Sequence, residues 1–194
     1  MKHFIYFSNH GTTSGKAISD GNLMRAGRID IAIHSLIQGI FLSHDFRKDV
    51  TFHLVLNGMP DPPKHIEITV QDDTPISKKD VANIIKKLLY KYKEGQKSEV
   101  LPGCFVEKKS LMKVIEELMD AGNEIFILDK KGESLREIKI PDKCAFLLGD
   151  HEGFPKKEQK YLKKLLTPVS VGPHMYFASQ VVAVVNNELD IRGI

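Results

Sequence analysis

Two glycine-bearing segments in the C-terminal third have the residue types of a ligand-binding site. In FLLGDHEGFP, residues 146–155, an apolar run enters a turn that carries two glycines and ends at a proline. In VSVGPHMYF, residues 169–177, a short apolar run breaks at Gly-Pro before another apolar stretch. Glycine lets a backbone approach a ligand closely. Such loops offer N–H and C=O groups to a flat polar ring, with Leu128, Met175 and Tyr176 as apolar walls. Both segments are equally consistent with ordinary strand-to-helix connections.

Signatures of several other chemistries are absent from the sequence. The segment 11–16, GTTSGK, lacks the first glycine of a Walker loop because His10 stands there, and Ala17 replaces the Ser or Thr that binds magnesium. No G-x-G-x-x-G follows a predicted strand, and neither a zinc-hydrolase nor a G-x-S-x-G motif occurs. Cys104 and Cys144 are too few for a disulfide framework or a Cys-rich zinc site, so we expect buried thiols and no metal.

Predicted strands and helices alternate along the chain, which indicates an α/β fold with a mixed or mostly parallel sheet flanked by helices. The predicted strands are 3–8, 50–56, 65–70, 105–106, 124–128, 145–148 and 169–171. The predicted helices are 28–41, 77–92, 110–122, 156–166 and 176–189, with polar connections at 93–102 and 129–132. Ligands of such folds bind beyond the carboxyl ends of the strands, so the loops after Leu128, Leu148 and Val171 are the places for a site.

Length and composition predict one domain. The chain has 194 residues, 42% apolar and 27% charged, which is typical of a folded protein. Its longest apolar runs are about half of the roughly 20 residues that cross a bilayer, and the N-terminus is too polar for a signal peptide. We therefore expect a cytoplasmic protein with no membrane association. The net charge of +3 neither demands nor excludes nucleic acid.

Four stretches of the sequence resemble the SPOUT class of RNA methyltransferases, in particular the archaeal tRNA (pseudouridine(54)-N1)-methyltransferases of the TrmY family. They are LLGDHEGFP, SVGPHMYFASQVVAVVNNELD, NLMRAGRIDI and LNGMPDPPKHIEI, and the likeness extends over essentially the whole chain. The related ribosomal enzymes of the Emg/Nep type match these motifs less well. The resemblance implies a single SPOUT domain over 1–194, with a C-terminal trefoil knot at about 124–194, and a homodimer formed through the knot.

The resemblance also implies a cofactor, S-adenosylmethionine, and the residues that hold it. The cofactor would lie bent in the knot, bound mainly by backbone hydrogen bonds. The residues implied are Leu128, Gly149, Gly172, Pro173, His174, Met175, Tyr176 and Phe177. The substrate implied is the T-loop pseudouridine of tRNA, whose N1 carries a proton that must leave when the methyl group arrives. A ribosomal RNA substrate, or a knotted RNA-binding protein without activity, are the alternatives.

Three polar residues are candidates for the catalytic work. Arg25 and Arg28 could hold phosphates or the uracil carbonyls, or could be solvated residues before a helix. Asp61, on a stiff proline-rich loop, is placed to act as a base, although a turn-forming Asp is an equal interpretation. Asp30 is expected to cap the helix that begins beside it. Ser179 and Val181 leave no cysteine in the final helix, so no thiol role is implied there.

Lysines cluster in two predicted helices, and such clusters can bind the phosphates of a nucleic-acid backbone. Residues 77–97 contain seven Lys against two acidic residues, and residues 156–164 contain five Lys against one Glu. Phosphate contacts of this kind position an RNA without reading its sequence, but a solvated helix face has the same composition. The apolar run 181–185 in the final helix belongs either to the core or to a subunit interface.

Overall fold

The computed structural model describes residues 1–19 and 21–194. The eight strands are β1 (Lys2–Ser8), β2 (Val50–Leu56), β3 (Lys64–Thr69), β4 (Ser98–Leu101), β5 (Cys104–Glu107), β6 (Glu124–Ser134), β7 (Cys144–Gly149) and β8 (Thr167–Ser170). The five α-helices are α1 (Ile29–Ile40), α2 (Val81–Tyr90), α3 (Leu111–Asp120), α4 (Lys156–Leu165) and α5 (Ala178–Arg192). A single turn of 3₁₀-helix covers Gly15–Ala17.

All eight strands form one sheet in the order β4-β5-β3-β2-β1-β7-β6-β8. The five strands from β2 to β8 in that order pair in parallel, whereas β3, β5 and β4 extend the sheet in antiparallel fashion. The carboxyl ends of β1, β7, β6 and β8 therefore lie along one edge, where the sequence places its glycine-bearing loops. The predicted α/β fold with a mostly parallel sheet is confirmed.

Side chains alternate between the two faces of the sheet, and each face is covered by helices. On one face a row of aromatic rings from Phe52, Phe4, Phe146 and Phe126 crosses four adjacent strands, with ring centroids 5.4–5.9 Å apart. Helices α1, α2 and α5 pack on this face. On the other face, apolar side chains of the central strands pack against α3 and α4. This double cover explains why the central strands read as continuous apolar runs.

The structure differs from the sequence prediction at three elements. Helix α2 begins at Val81 rather than at residue 77, because the Ser77 hydroxyl donates to the Asp80 carboxylate at 2.9 Å instead of accepting from the backbone. The predicted loop 93–102 contains the edge strand β4. The predicted turn at 129–132 lies inside β6, whose pairing with β8 shifts register between Leu128 and Glu133. Among the described residues, no helix is long and apolar enough to cross a membrane.

Candidate active site

A cleft of about 820 Å³ opens at the carboxyl ends of the parallel strands. Its walls are formed by the middle of β6 and by the loops after β7 and β8, together with the first turns of α1 and α5 and one side of α4. The predicted site residues that line it are Arg28, Leu128, Gly149, His174, Met175, Tyr176 and Phe177. Gly172 and Pro173 line a separate cavity of about 360 Å³, which shares Val171 with the cleft. The structure thus brings the two glycine-bearing segments together.

The loop after β7 approaches its own turn so closely that only glycine fits. A Cβ on Gly149 would lie 2.8 Å from the Cα of Gly153, and Gly153 itself has a φ of +71°. The same turn is tied to the end of β1 through Asp150, whose amide donates to the carbonyl of Phe7 at 3.0 Å. The buried carboxylate of Asp150 accepts from the Ser8 hydroxyl at 2.7 Å and from the amide of Glu152 at 2.9 Å. These bonds hold the backbone at the cleft floor in one shape.

The loop after β8 brings an aromatic ring against its own glycine. Gly172 has a φ of +155°, and a Cβ there would lie 2.9 Å from the hydroxyl of Tyr176. The His174 and Tyr176 rings meet edge to face at 6.2 Å. Met175 and Phe177 are 80% and 77% exposed, so they stand at the rim of the cleft rather than in its floor. This loop therefore brings main-chain groups and the Tyr176 ring to the cleft, with Met175 and Phe177 at its rim.

Arg28 is the cationic side chain that enters the cleft from α1. Its backbone is left-handed, with a φ of +58°, a conformation uncommon for a residue with a Cβ. The preceding Gly27 is also left-handed, and a Cβ there would lie 1.7 Å from the carbonyl oxygen of His10. The guanidinium of Arg28 donates to Asp30 at 3.0 Å through both Nε and Nη2. The loop at 8–11 therefore fixes the backbone from which Arg28 projects.

Asp30 has a different role from the helix cap expected from its position. It is the second residue of α1, and its carboxylate binds the Arg28 guanidinium. Partial burial alone would raise the pKa of Asp30, but the hydrogen bonds and the positive charge of Arg28, together with a backbone hydrogen bond and His34, hold that pKa below its usual value. The carboxylate stays ionised and orients Arg28 in the cleft.

The other two polar residues predicted for the site, Arg25 and Asp61, do not line the cleft. Arg25 is an exposed residue. Asp61 pairs with Lys64 at 2.5 Å and with Lys108, and its amide donates to the Thr13 hydroxyl at 2.9 Å. Hydrogen bonds from Lys108 and Lys64 lower the pKa of Asp61 to about 2, so it is a weak base here. The catalytic role of Asp61 and the substrate role of Arg25 stay predictions, without support from their positions.

Sequence reasoning missed an ion pair at this site and a buried tyrosine on the neighbouring strand β1. Asp129 lines the cleft and pairs with Lys163 of α4. Tyr6 of β1 has a buried hydroxyl without a hydrogen-bond partner among residues 1–19 and 21–194. Burial first, and then the charges of Asp150 and Asp30, raise the pKa of Tyr6 far above its usual value, so it remains protonated. The DHEG motif pointed to Asp150, but nothing local in the sequence links Tyr6 or Lys163 to the cleft.

A family profile described as "Putative SAM-dependent RNA methyltransferase" matches residues 1–194. The chain belongs to this RNA methyltransferase family. The predicted methyl donor, S-adenosylmethionine, is confirmed by that membership.

Full-length relatives of this methyltransferase include enzymes from archaea and bacteria. It is 34% identical over 204 residues to the "tRNA (pseudouridine(54)-N(1))-methyltransferase" of Pyrococcus abyssi, with 100% of both chains covered. It is 30% identical to the protein of the same name from Methanococcoides burtonii, with 98% and 96% covered. A Vibrio parahaemolyticus relative, 34% identical with 99% of both covered, is named "Putative pseudouridine methyltransferase". The predicted resemblance is confirmed, whereas an archaeal source is not, because bacterial relatives match equally well.

A solved structure supports the fold of this methyltransferase. It is the Archaeoglobus fulgidus Nep1 structure bound to S-adenosylhomocysteine, with a TM-score of 0.65 and 13% identity. The alignment covers 100% of this chain and 99% of that chain. At this identity the likeness concerns the fold alone, and it supports the predicted SPOUT fold.

Proposed function

We propose that this methyltransferase transfers a methyl group from S-adenosylmethionine to N1 of pseudouridine 54 in the T-loop of tRNA. The observation that carries the proposal is the full-length match to relatives named for that reaction. The cleft supports it, because it combines glycine-bearing main chain, apolar walls and one guanidinium at the carboxyl edge of the sheet. A tRNA substrate also assigns the activity to the cytoplasm.

The cleft suits the methyl donor on structural grounds. Gly149 lets the turn after β7 fold back on itself, since a Cβ there would collide with the backbone of Gly153, and this brings main-chain groups to the cleft. We assign the donor to the predicted residues Leu128, Gly149, Gly172, Pro173, His174, Met175, Tyr176 and Phe177. The bound donor supplies a methyl group on a positively charged sulfur. The protein excludes water from that group with Ile127, Leu148 and Val169, which line the inner wall.

Arg28 provides the electrostatic part of the chemistry. Methyl transfer would form a bond between N1 and the methyl carbon while the bond from that carbon to sulfur breaks. The electron pair of the broken bond would stay on sulfur, and the N1 proton would pass to water. Loss of this proton spreads negative charge onto the uracil carbonyl oxygens, which a guanidinium can stabilise. Arg28 is held ready for that task by Asp30 and by its left-handed backbone. Uridine has no free N1, so the reaction selects pseudouridine by its chemistry.

We also propose that residues 124–194 form a trefoil knot and that two chains assemble through it. Helix α5 buries Val182, Val185 and Leu189 in this chain, while Ile191 is 73% exposed. The exposed rim residues Met175 and Phe177 precede the same helix. Apolar side chains on both sides of α5 are consistent with a second copy covering the outer side.

The decisive experiment uses two T-arm transcripts that differ only at position 54. Nucleosides are analysed by mass spectrometry after incubation with labelled methyl donor. We expect N1-methylpseudouridine from the pseudouridine transcript and no product from the uridine transcript. Methylation of a ribosomal fragment alone would assign the ribosomal substrate instead, and absence of calorimetric heat with S-adenosylmethionine would favour an inactive RNA-binding protein.

Gly149→Ala should weaken binding of S-adenosylhomocysteine by about 10- to 100-fold, because overpacking against a backbone costs roughly 1–3 kcal/mol. The new Cβ would meet the Cα of Gly153 at 2.8 Å, and that contact is with backbone rather than a movable side chain. Calorimetry measures the change. Gly95→Ala is the control for backbone strain in a different loop, since Gly95 has a φ of +75° and a Cβ there meets nothing within 4 Å. Equal affinity for both variants would show that the Gly149 turn does not hold the donor.

Asp61→Asn tests the predicted base. Because Asp61 pairs with Lys64 and Lys108, we expect kcat close to that of the unsubstituted enzyme and a lower Tm. Lys64 is only 2% exposed, so losing its partner leaves a buried ammonium less compensated. A kcat reduced by about 100-fold or more, the size of general-base effects, would instead establish Asp61 as the base. Asp72→Asn serves as the control, because it removes the carboxylate that pairs with the exposed Lys48.

A further inference from the structure

A second cleft, of about 560 Å³, lies on the other side of α4 from the methyl-donor cleft. Its floor is apolar, formed by Phe7, Leu111 and Leu162, and Pro62 and Pro63 form one wall. The two clefts are separated by a stacked ring pair, because Phe7 lines the second cleft, Phe154 lines the first, and their centroids are 5.5 Å apart. The second cleft is therefore adjacent to the reaction site.

Helix α4 borders both clefts with different sides. Gln159 and Lys163 line the methyl-donor cleft, whereas Lys157 and Tyr161 line the second one. Since a helix is about 10–12 Å across with its side chains, a strand lying over α4 can reach into both clefts. When one nucleotide of an RNA strand occupies the first cleft, another nucleotide a short distance along the strand lies close to the second cleft.

Tyr161 is the unusual residue of this helix. Tyr161 is a large aromatic residue that is 55% exposed, and the helix around it carries five lysines and a single glutamate. An exposed aromatic ring surrounded by lysines is the arrangement that binds single-stranded RNA, in which bases stack on the ring and ammonium groups contact phosphates. The side chains of Asn57 and Ser110, also in this cleft, are able to hydrogen-bond the edge of a base.

We propose that the second cleft binds an unpaired nucleobase of the RNA substrate, stacked on Tyr161, with Lys157 at its phosphate. The inference rests on the proposed function and adds a second nucleotide site to it. The charge of α4 favours RNA as the occupant over a second copy of this chain. In a symmetric dimer built on this face, the same lysine-rich helix would meet itself, and like charges across an interface are unfavourable.

The test compares Tyr161→Ala with Tyr161→Phe in binding and turnover. Fluorescence anisotropy gives the Kd for a pseudouridine-containing T-arm RNA, and steady-state assays separate KM from kcat. Losing one stacked base should raise Kd and KM for RNA by about 5- to 150-fold in Tyr161→Ala. We expect kcat, S-adenosylhomocysteine affinity and Tm to change little. Tyr161→Phe keeps the ring and should bind RNA normally.

Tyr90→Ala is the matched control, because Tyr90 is 52% exposed on the other lysine-rich helix, α2. It should change RNA affinity far less than Tyr161→Ala does, because Tyr90 lines neither of the two clefts. RNA carrying 2-aminopurine in the T-loop provides a direct readout, since stacking on Tyr161 quenches its fluorescence and Tyr161→Ala should relieve the quenching. The proposal is overturned if Tyr161→Ala binds RNA within twofold of the unsubstituted protein, or if it changes oligomeric state instead. Binding needs no turnover, so failure to methylate pseudouridine would refute the proposed function separately.

Discussion

Replacing Arg28 with alanine should lower kcat for methyl transfer by about 100- to 1000-fold, the usual cost of removing one group that stabilises transition-state charge. Arg28 lines the cleft and its guanidinium is fixed by two hydrogen bonds to Asp30. No charge develops on the uracil ring before the N1 proton leaves, so the loss should fall on kcat. Single-turnover assays with saturating RNA and methyl donor measure it.

Two companion variants distinguish electrostatic stabilisation from positioning. Arg28→Lys keeps the charge but not the planar pair of donors, so it should recover only part of the rate. Asp30→Asn keeps the shape but removes the charge that orients the guanidinium, so it should have an intermediate rate. Affinity for S-adenosylhomocysteine should remain normal in all three. If Arg28→Ala instead loses that affinity while its kcat at saturation is unchanged, Arg28 binds the methyl donor and does not stabilise the reacting base.

The position of the cleft could be predicted from the sequence because its determinants are local. Gly149 and Gly172 directly follow short apolar strands, and the carboxyl ends of parallel strands meet at one edge. The capping of α3 was equally local, since the Ser110 hydroxyl accepts from the amide of Lys113 as its position implies. Such features depend on a few neighbouring residues and need no knowledge of the pairing between strands.

The partners of charged groups could not be predicted in the same way. Asp61 looked available on its loop, yet Lys108, which is 47 positions away in sequence, pairs with it. Asp129 likewise meets Lys163 only because β6 continues through a bulge beside β8. Long-range pairing depends on the strand order, and a sheet that places β1 between β2 and β7 is not evident from periodicity.

A row of three histidines, two of them buried, is the clearest product of that strand order. His3, His53 and His65 come from β1, β2 and β3, and the row ends at Glu107 of β5. Successive ring nitrogens are 3.0 and 2.9 Å apart, and Nδ1 of His65 is 3.0 Å from the Glu107 carboxylate. The sequence shows these histidines only as scattered residues, because they become neighbours when four strands pair.

The carboxylate sets the direction of hydrogen bonding along this row. Burial alone would raise the pKa of Glu107, but hydrogen bonds from His65 and Lys109 outweigh it and lower that pKa to about 2. An ionised Glu107 can only accept, so Nδ1 of His65 donates to it. Nδ1 of His53 then donates to Nε2 of His65, and Nδ1 of His3 donates to Nε2 of His53. A proton added at Nε2 of His53 would face Nδ1 of His3, which in this arrangement already carries a hydrogen. Burial first, then the neighbouring histidines, and Lys97 and Lys109 hold the pKa of His53 well below its usual value.

Acidification from pH 7 to pH 5 should therefore destabilise the protein. Burial lowers the pKa of His3 from 6.5 to about 4, partly offset by Glu67. Between pH 6.5 and 4, His3 is protonated in the unfolded chain but stays neutral in the folded chain. The free energy of unfolding therefore falls as the pH falls through this window. At about 1.36 kcal/mol per pKa unit, His3 alone accounts for about 2 kcal/mol at pH 5, and His53 adds to the loss.

Urea unfolding at pH 7 and pH 5 measures this difference in the free energy of unfolding. His3→Gln removes one depressed histidine, so its stability should fall less steeply on acidification than that of the unsubstituted protein. The exposed His44 provides the control, because His44→Gln should leave the pH dependence unchanged. Glu107 also stabilises the folded protein, but this stabilisation is lost only as the pH falls from about 4.5 to 2. That range lies below the interval from pH 7 to pH 5. An unfolding free energy that stays level from pH 7 to 5 would mean that the histidine row accepts protons in the folded state.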